Sequence, residues 1–218
     1  MPPTCNEDST EIVNKFHLLY YNCPERTWQN TSWLGVRARK CPLDLWAYQE
    51  IIYETRPDII VECGTADGGS ALFFASICDL VRNGRVITVD ITESARPTHE
   101  RITYLTGSSV NEETVGCIRH TITDGDKVMV ILDSDHTKDH VRKELRLYSD
   151  LVTVGNYLTV EDTNINGHPV LKSFGPGPME AVQEFLTGNE DFIIDKNREK
   201  FFMTFNPEGY LKRVKRTV

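Results

Sequence analysis

No apolar run in the 218 residues approaches the roughly 18 that a membrane-spanning helix needs, so the chain is not read as a membrane protein. Basic charge is also scarce. Lys and Arg number 24 against 32 Asp and Glu, a formal net charge of −8, and no window gathers the basic residues, which argues against a nucleic-acid partner. The six cysteines, Cys5, Cys23, Cys41, Cys63, Cys78 and Cys117, form no C-x-x-C pair. That excludes a zinc ribbon or a thioredoxin-type dithiol and leaves Cys63 and Cys78 as small apolar residues. The opening MPPTCNEDSTE has neither a basic patch nor an apolar core, so a reduced cytoplasmic location is expected. None of the six histidines is followed two residues later by an acid, which disfavours the facial triad of a non-heme iron hydroxylase.

What is present reads as one domain over 1–218, with N-terminal helices and a lid segment over 1–57 and a core over 58–218. A helix is expected over 8–22, capped by Ser9 or Thr10. A second starts at Asp44, which can accept its first N–H groups, and Arg56-Pro57 stops it. Between them, 24–42 mixes Trp28, Trp33, Arg37, Arg39 and Lys40 without periodicity. From residue 58 short apolar runs alternate with helical segments: IIVEC (59–63), RVITVD (85–90), RITYL (101–105), KVMVILD (127–133) and NYLTVED (156–162). Such alternation predicts an α/β, Rossmann-like doubly wound sheet, mostly parallel. DFIID (191–195), KFFMTFNP (200–207) and GYLKRV (209–214) are further strand candidates, the last as an antiparallel return strand.

The first core strand ends in E62-C63-G64-T65-A66-D67-G68-G69-S70 just before a helix, the place where open α/β sheets bind nucleotides. Ala66 stands where a dinucleotide fingerprint has its middle glycine, and Glu62 and Asp67 border the turn, so a pyrophosphate would be repelled and an NAD-linked enzyme is disfavoured. A cationic, phosphate-free ligand such as S-adenosylmethionine would be held well. Asp90, ending the next strand, is placed to accept the hydroxyls of a ribose. Gly107-Ser108-Ser109 ends the third strand and can frame an adenine. The candidate donor-binding residues are therefore Glu62, Gly64, Thr65, Asp67, Ser70, Asp90 and Ser109, with Asp133 beside them. The bland alternative is that the glycines serve close helix packing and Asp90 caps a turn.

Two later strand ends, L132-D133-S134-D135-H136 and V160-E161-D162-T163, bring more acids to the same sheet edge. Oxygen ligands suit Mg2+ or a similar hard divalent cation, with Asp135, Glu161 and Asp162 as ligands and Asp133 as substitute. Read blandly, these acids cap helices and turns. In H136-T137-K138-D139-H140, Lys138 and His136 are the candidate bases, with His140 on the same helical face as His136.

Together E-C-G-T-x-x-G-G-S, L-D-S-D-H-T-x-x-H-V, V-E-D-T and F-G-P-G-P resemble the family named after the cephalosporin hydroxylase protein of cephamycin biosynthesis, from about Trp33 to Asn206. The resemblance implies a class I S-adenosylmethionine-dependent methyltransferase fold, metal-dependent O-methylation and, as in several relatives, a sugar acceptor. It implies the donor at Glu62, Gly64, Asp90 and Ser109 and the metal at Asp135, Glu161 and Asp162. The D-H-T-K-D run is also similar to the metal-binding D-H-x-K-D of catechol O-methyltransferases, whose lysine is the base. Those enzymes end the site in Asp-Asn where this chain has Glu161-Asp162, one more negative charge. The short chain and sugar-methylating kin point to the 1-OH of a 3-O-methylated mannoside, in methylmannose polysaccharide biosynthesis. Other expectations left open are a polyketide or other secondary-metabolite acceptor, a homodimer, and a cofactor-binding partner subunit without catalysis.

Overall fold

Two runs in which every residue is buried, β3 (Ile59–Cys63) and β6 (Val128–Leu132), lie side by side in the middle of the sheet. Continuous apolarity is what a strand needs when both faces are covered. The computed structural model describes residues 7–216, with the side chains of residues 7 and 8 left aside, so Cys5 falls outside the described residues. In chain order the other elements are α1 (Glu7–Asn22), a ribbon of β1 (Ser32–Trp33) and β2 (Val36–Arg37), α2 (Pro42–Thr55), α3 (Gly69–Val81), β4 (Arg85–Asp90), β5 (Ile102–Thr106), α4 (Glu112–His120), α5 (Lys138–Tyr148), β7 (Tyr157–Val160), α6 (Pro178–Thr187), β8 (Phe192–Ile194) and β9 (Tyr210–Arg213).

The seven-stranded sheet runs β5-β4-β3-β6-β7-β9-β8. Strands β3 to β7 pair in parallel, and β9 enters antiparallel between β7 and β8. This is the doubly wound, mostly parallel sheet expected, with its antiparallel return strand. Strand order reverses between β3 and β6, and a crevice opens outside their carboxyl ends. Side chains of β3 alternate: Ile59, Val61 and Cys63 join a core under α4, α5 and α6, while Ile60 joins one under α2 and α3. Helix α2 enters that second core through Ala47, Tyr48, Ile51 and Ile52. Among the described residues no helix is long and apolar enough to cross a membrane.

Three local expectations need correction. Helix α1 already starts at Glu7, so Ser9 and Thr10 lie inside its first turn. Asp44 does not cap α2, whose N-cap is Cys41. Its buried carboxylate instead accepts from Thr204 Oγ1, from the Phe205 N–H at 2.9 Å and from the Tyr210 hydroxyl at 2.9 Å. The third follows from the second: 200–207 forms no strand, because Asp44 takes the Phe205 N–H that a ladder would use. Phe205 turns into an aromatic cluster with His17, Tyr20, Tyr21 and Trp28, stacking flat on His17 at 5.3 Å. The aperiodic 24–42 segment holds the small ribbon that periodicity did not announce.

Candidate active site

Gly64 follows β3 at the switch point with φ +97°, where a Cβ would come within 1.9 Å of the Asp133 carbonyl oxygen. Only glycine lets the turn pass this close to β6. The next residues, Thr65 and Ala66, donate their N–H groups to Asp90 Oδ2 at 3.0 and 2.9 Å, and Thr92 N–H reaches Asp90 Oδ1 at 2.8 Å. Burial works against the Asp90 charge, but these three amides and Arg96 outweigh it and hold its carboxyl below the usual range. Ala66 sits at φ +45°, in the left-handed region that favours glycine.

A cavity of about 640 Å³ opens above this turn, within the range of small-ligand sites. Its lining includes Gly64, Thr65, Ala66, Ser70, Asp90, Ile91, Gly107 and Ser109. Ile91 is 75% exposed, an apolar side chain facing open space. Ser109 Oγ lies 3.1 Å from His140 Nε2, which also contacts Ser134 Oγ at 3.1 Å, and Ser134 donates to the buried Glu144 at 2.6 Å. His140 is thus a wall residue, but it does not share the expected helical face with His136, because α5 starts at Lys138 and His136 precedes its N-cap Thr137. Two expected residues stand back from the cavity. Glu62 is buried beneath the turn, accepting from Thr88 Oγ1 at 2.6 Å, and burial pushes its carboxyl up to about 7. Asp67 is at the rim, paired with Arg39 at 2.9 Å.

Beside the turn the lining is acidic. Asp133, His136 and Asp162 offer ligand atoms that all lie within 4.8 Å of one another, and His136 Nε2 is 3.1 Å from Asp162 Oδ2. The other two expected ligands are engaged differently. Asp135 also lines the cavity, but its Oδ1 accepts from Thr137 N–H at 2.8 Å and Thr137 Oγ1 at 2.6 Å, at the start of α5. Glu161 is buried, with one oxygen on Lys40 Nζ at 2.7 Å and the other on the Tyr48 hydroxyl at 2.8 Å. Lys40 Nζ also bonds Asp133. Lys138 is outside the cavity wall, its amine on Glu184 of α6 at 2.8 Å. The lysine at the acids is therefore Lys40, from the segment before α2.

Burial raises the carboxyls of Asp133, Glu161 and Asp162. For His136, burial opposes the charged ring, yet Asp162, Asp133 and Glu161 prevail and raise its pKa. Desolvated, mutually repelling acids with an oxygen-rich donor set are the surroundings a hard divalent cation fits. Apolar lining completes the cavity: Tyr21 and Trp28, stacked at 5.2 Å, together with Ile165, Leu171 and Phe174 from the Gly- and Pro-rich segment between β7 and α6.

Residues 25–214 match the family described as Rhamnosyl O-methyltransferase/CmcI. A rhamnosyl O-methyltransferase of Mycobacterium tuberculosis is 37% identical over 213 residues, covering 94% of this chain and 86% of its own. That of Mycobacterium leprae is 37% identical over 211 residues, covering 93% and 90%. A CmcI structure with Mg and SAM has the same fold, with a TM-score of 0.67 and 22% identity over 86% of this chain and 78% of its own. With a match across nearly its whole length, the chain belongs to the rhamnosyl O-methyltransferase/CmcI family.

Proposed function

We propose that the chain transfers the methyl group of S-adenosylmethionine to a hydroxyl of a sugar unit. One observation carries the reading: a turn suited to a cationic nucleoside and a cluster of acids line one cavity at neighbouring strand ends, in a chain of this family. Asp90 and the 64–66 turn hold the ribose, Ile91 covers the adenine face, and Ser109 with His140 meets its edge. Asp133 and Asp162 would hold Mg2+ or a similar cation, while Asp135 stays on Thr137 and Glu161 on Lys40 and Tyr48. Such an ion, when bound, lowers the pKa of an acceptor hydroxyl. His136 Nε2 then takes the hydroxyl proton. The oxygen forms its bond to the methyl carbon as the S–C bond breaks, and sulfur keeps the electron pair as S-adenosylhomocysteine. Tyr21, Trp28, Leu171 and Phe174 seat the acceptor and exclude water.

The relatives named rhamnosyl O-methyltransferase direct the acceptor toward rhamnosyl glycosides rather than the mannoside that the short chain and sugar-methylating kin suggested. The five described cysteines are all free, which supports a reduced, cytoplasmic setting. The test is transfer from methyl-labelled S-adenosylmethionine to rhamnosides, mannosides and non-sugar phenols, with and without EDTA. Transfer that survives both EDTA and Asp162→Asn discards the metal. Transfer to the phenols alone discards the sugar.

A further inference from the structure

Lys40 is the buried charge that the proposed chemistry leaves unused. Its side chain is 3% exposed, and it bonds the acids at the ends of two strands, Asp133 after β6 and Glu161 after β7. It arrives from outside the sheet. Arg39 has φ +55°, and the two neighbours go opposite ways, Arg39 out to Asp67 and Lys40 in to the acids. Thr31 clips the backbone there: its Oγ1 accepts the Lys40 N–H and donates to the Lys40 carbonyl, both at 3.0 Å. Freezing a long amine in one conformation is costly in entropy, so its contacts must offset that cost.

The contacts divide the acid cluster in two. Glu161 has both oxygens committed inside the protein, to Lys40 and Tyr48, and does not line the cavity. Asp133, His136 and Asp162 do line it. We infer that Lys40 is a fixed internal cation, a positioning residue that holds Asp133 and Glu161 in place and supplies part of the counter-charge, so that the acid cluster stays assembled without its metal and the metal binds exchangeably. The inference rests on the metal half of the proposed function. Without the ammonium, Asp133 and Glu161 would repel each other in a buried site, and a divalent ion would become their remaining partner. Metal binding and folding would then be more strongly linked than in the native chain.

The experiment uses the full chain and Mg2+ alone, with melting curves in EDTA and in saturating Mg2+, and calorimetric titration. Native protein, Lys40→Met, Lys40→Arg and the double variant Lys40→Met/Glu161→Gln are compared. Lys40→Met should melt lower than native in EDTA, regain more on adding Mg2+, and bind Mg2+ about tenfold more tightly, since a like charge has left the site's neighbourhood. Lys40→Arg keeps the charge and should keep the native Mg2+ response. The double variant removes both partners of the pair and should melt above Lys40→Met in EDTA. Equal Mg2+ affinity and equal melting shifts in native and Lys40→Met overturn the inference. If Lys40→Met does not fold, a folded double variant supports it and an unfolded one overturns it. Absence of any heat or melting shift with Mg2+ in the native protein fails the metal reading itself.

Discussion

Replacing Asp90 by Ala separates the donor site from the rest of the fold. Asp90 accepts three backbone N–H groups, two from the 65–66 turn and one from Thr92, and its side chain is 16% exposed at the cavity wall. Each hydrogen bond to a charged acceptor contributes about 1.5–3 kcal/mol. Two ribose hydroxyls lost to Asp90→Ala therefore weaken binding by roughly 3–6 kcal/mol, or about two to four orders of magnitude in Kd. Calorimetry with S-adenosylhomocysteine reads this directly, because no turnover intervenes. The freed turn should also lower the melting temperature modestly. Since Asp90 is held ionised well below neutrality, its contribution should be flat from pH 5 to 8. A Kd within twofold of native for Asp90→Ala would refute the ribose assignment.

Asp44→Ala leaves three buried donors unpaired, at a cost of about 3–5 kcal/mol, so differential scanning calorimetry should find melting lowered by roughly 6–15 °C. His136→Ala should cut kcat about a hundredfold or more while Lys138→Ala leaves it within a few-fold; the reverse pattern would return the base to Lys138. The pH dependence of stability has a worked sign. Burial raises Asp44 and Glu62 to about 7, so between about pH 4 and 7 the folded chain binds more protons than the unfolded one, and their stabilisation is lost as pH rises through that window. His17, lowered to about 4 by burial, opposes this as a single group below its ordinary pKa. Urea midpoints in EDTA should thus be higher at pH 5.5 than at pH 8, and the opposite order would contradict the burial of these acids.

The central strands and the edge that carries the site were legible because burial on two faces forces continuous apolarity at 59–63 and 128–132, and because glycine and acids crowd the strand ends. Which partner engages each acid was not legible. Asp133 and Asp135 are two residues apart, and the difference between them comes from Thr137 bonding Asp135 at the start of α5. Glu161 and Asp162 separate in the same way, through Lys40 on one and His136 on the other. Lys40 itself lies in a stretch without period, and its partners are 93 and 121 positions away. The unusual density of cations and tryptophans in 24–42 was its one trace. Asp44 has the spacing of a helix cap, and only the approach of Thr204, Phe205 and Tyr210 from the far end of the chain makes it a buried acceptor.

Strand β9 sits between β7 and β8, and among the described residues β8 has no other neighbour. Arg213 rivets it, with Nη1 on the carbonyls of Ser149 and Val152 and Nη2 on Asp191. A premature stop near residue 206 would thus cost two strands rather than one, leaving β7 as a bare edge open to intermolecular pairing. Expression of fragments ending there should yield inclusion bodies, whereas affinity handles appended beyond Val214 leave this lattice of contacts whole.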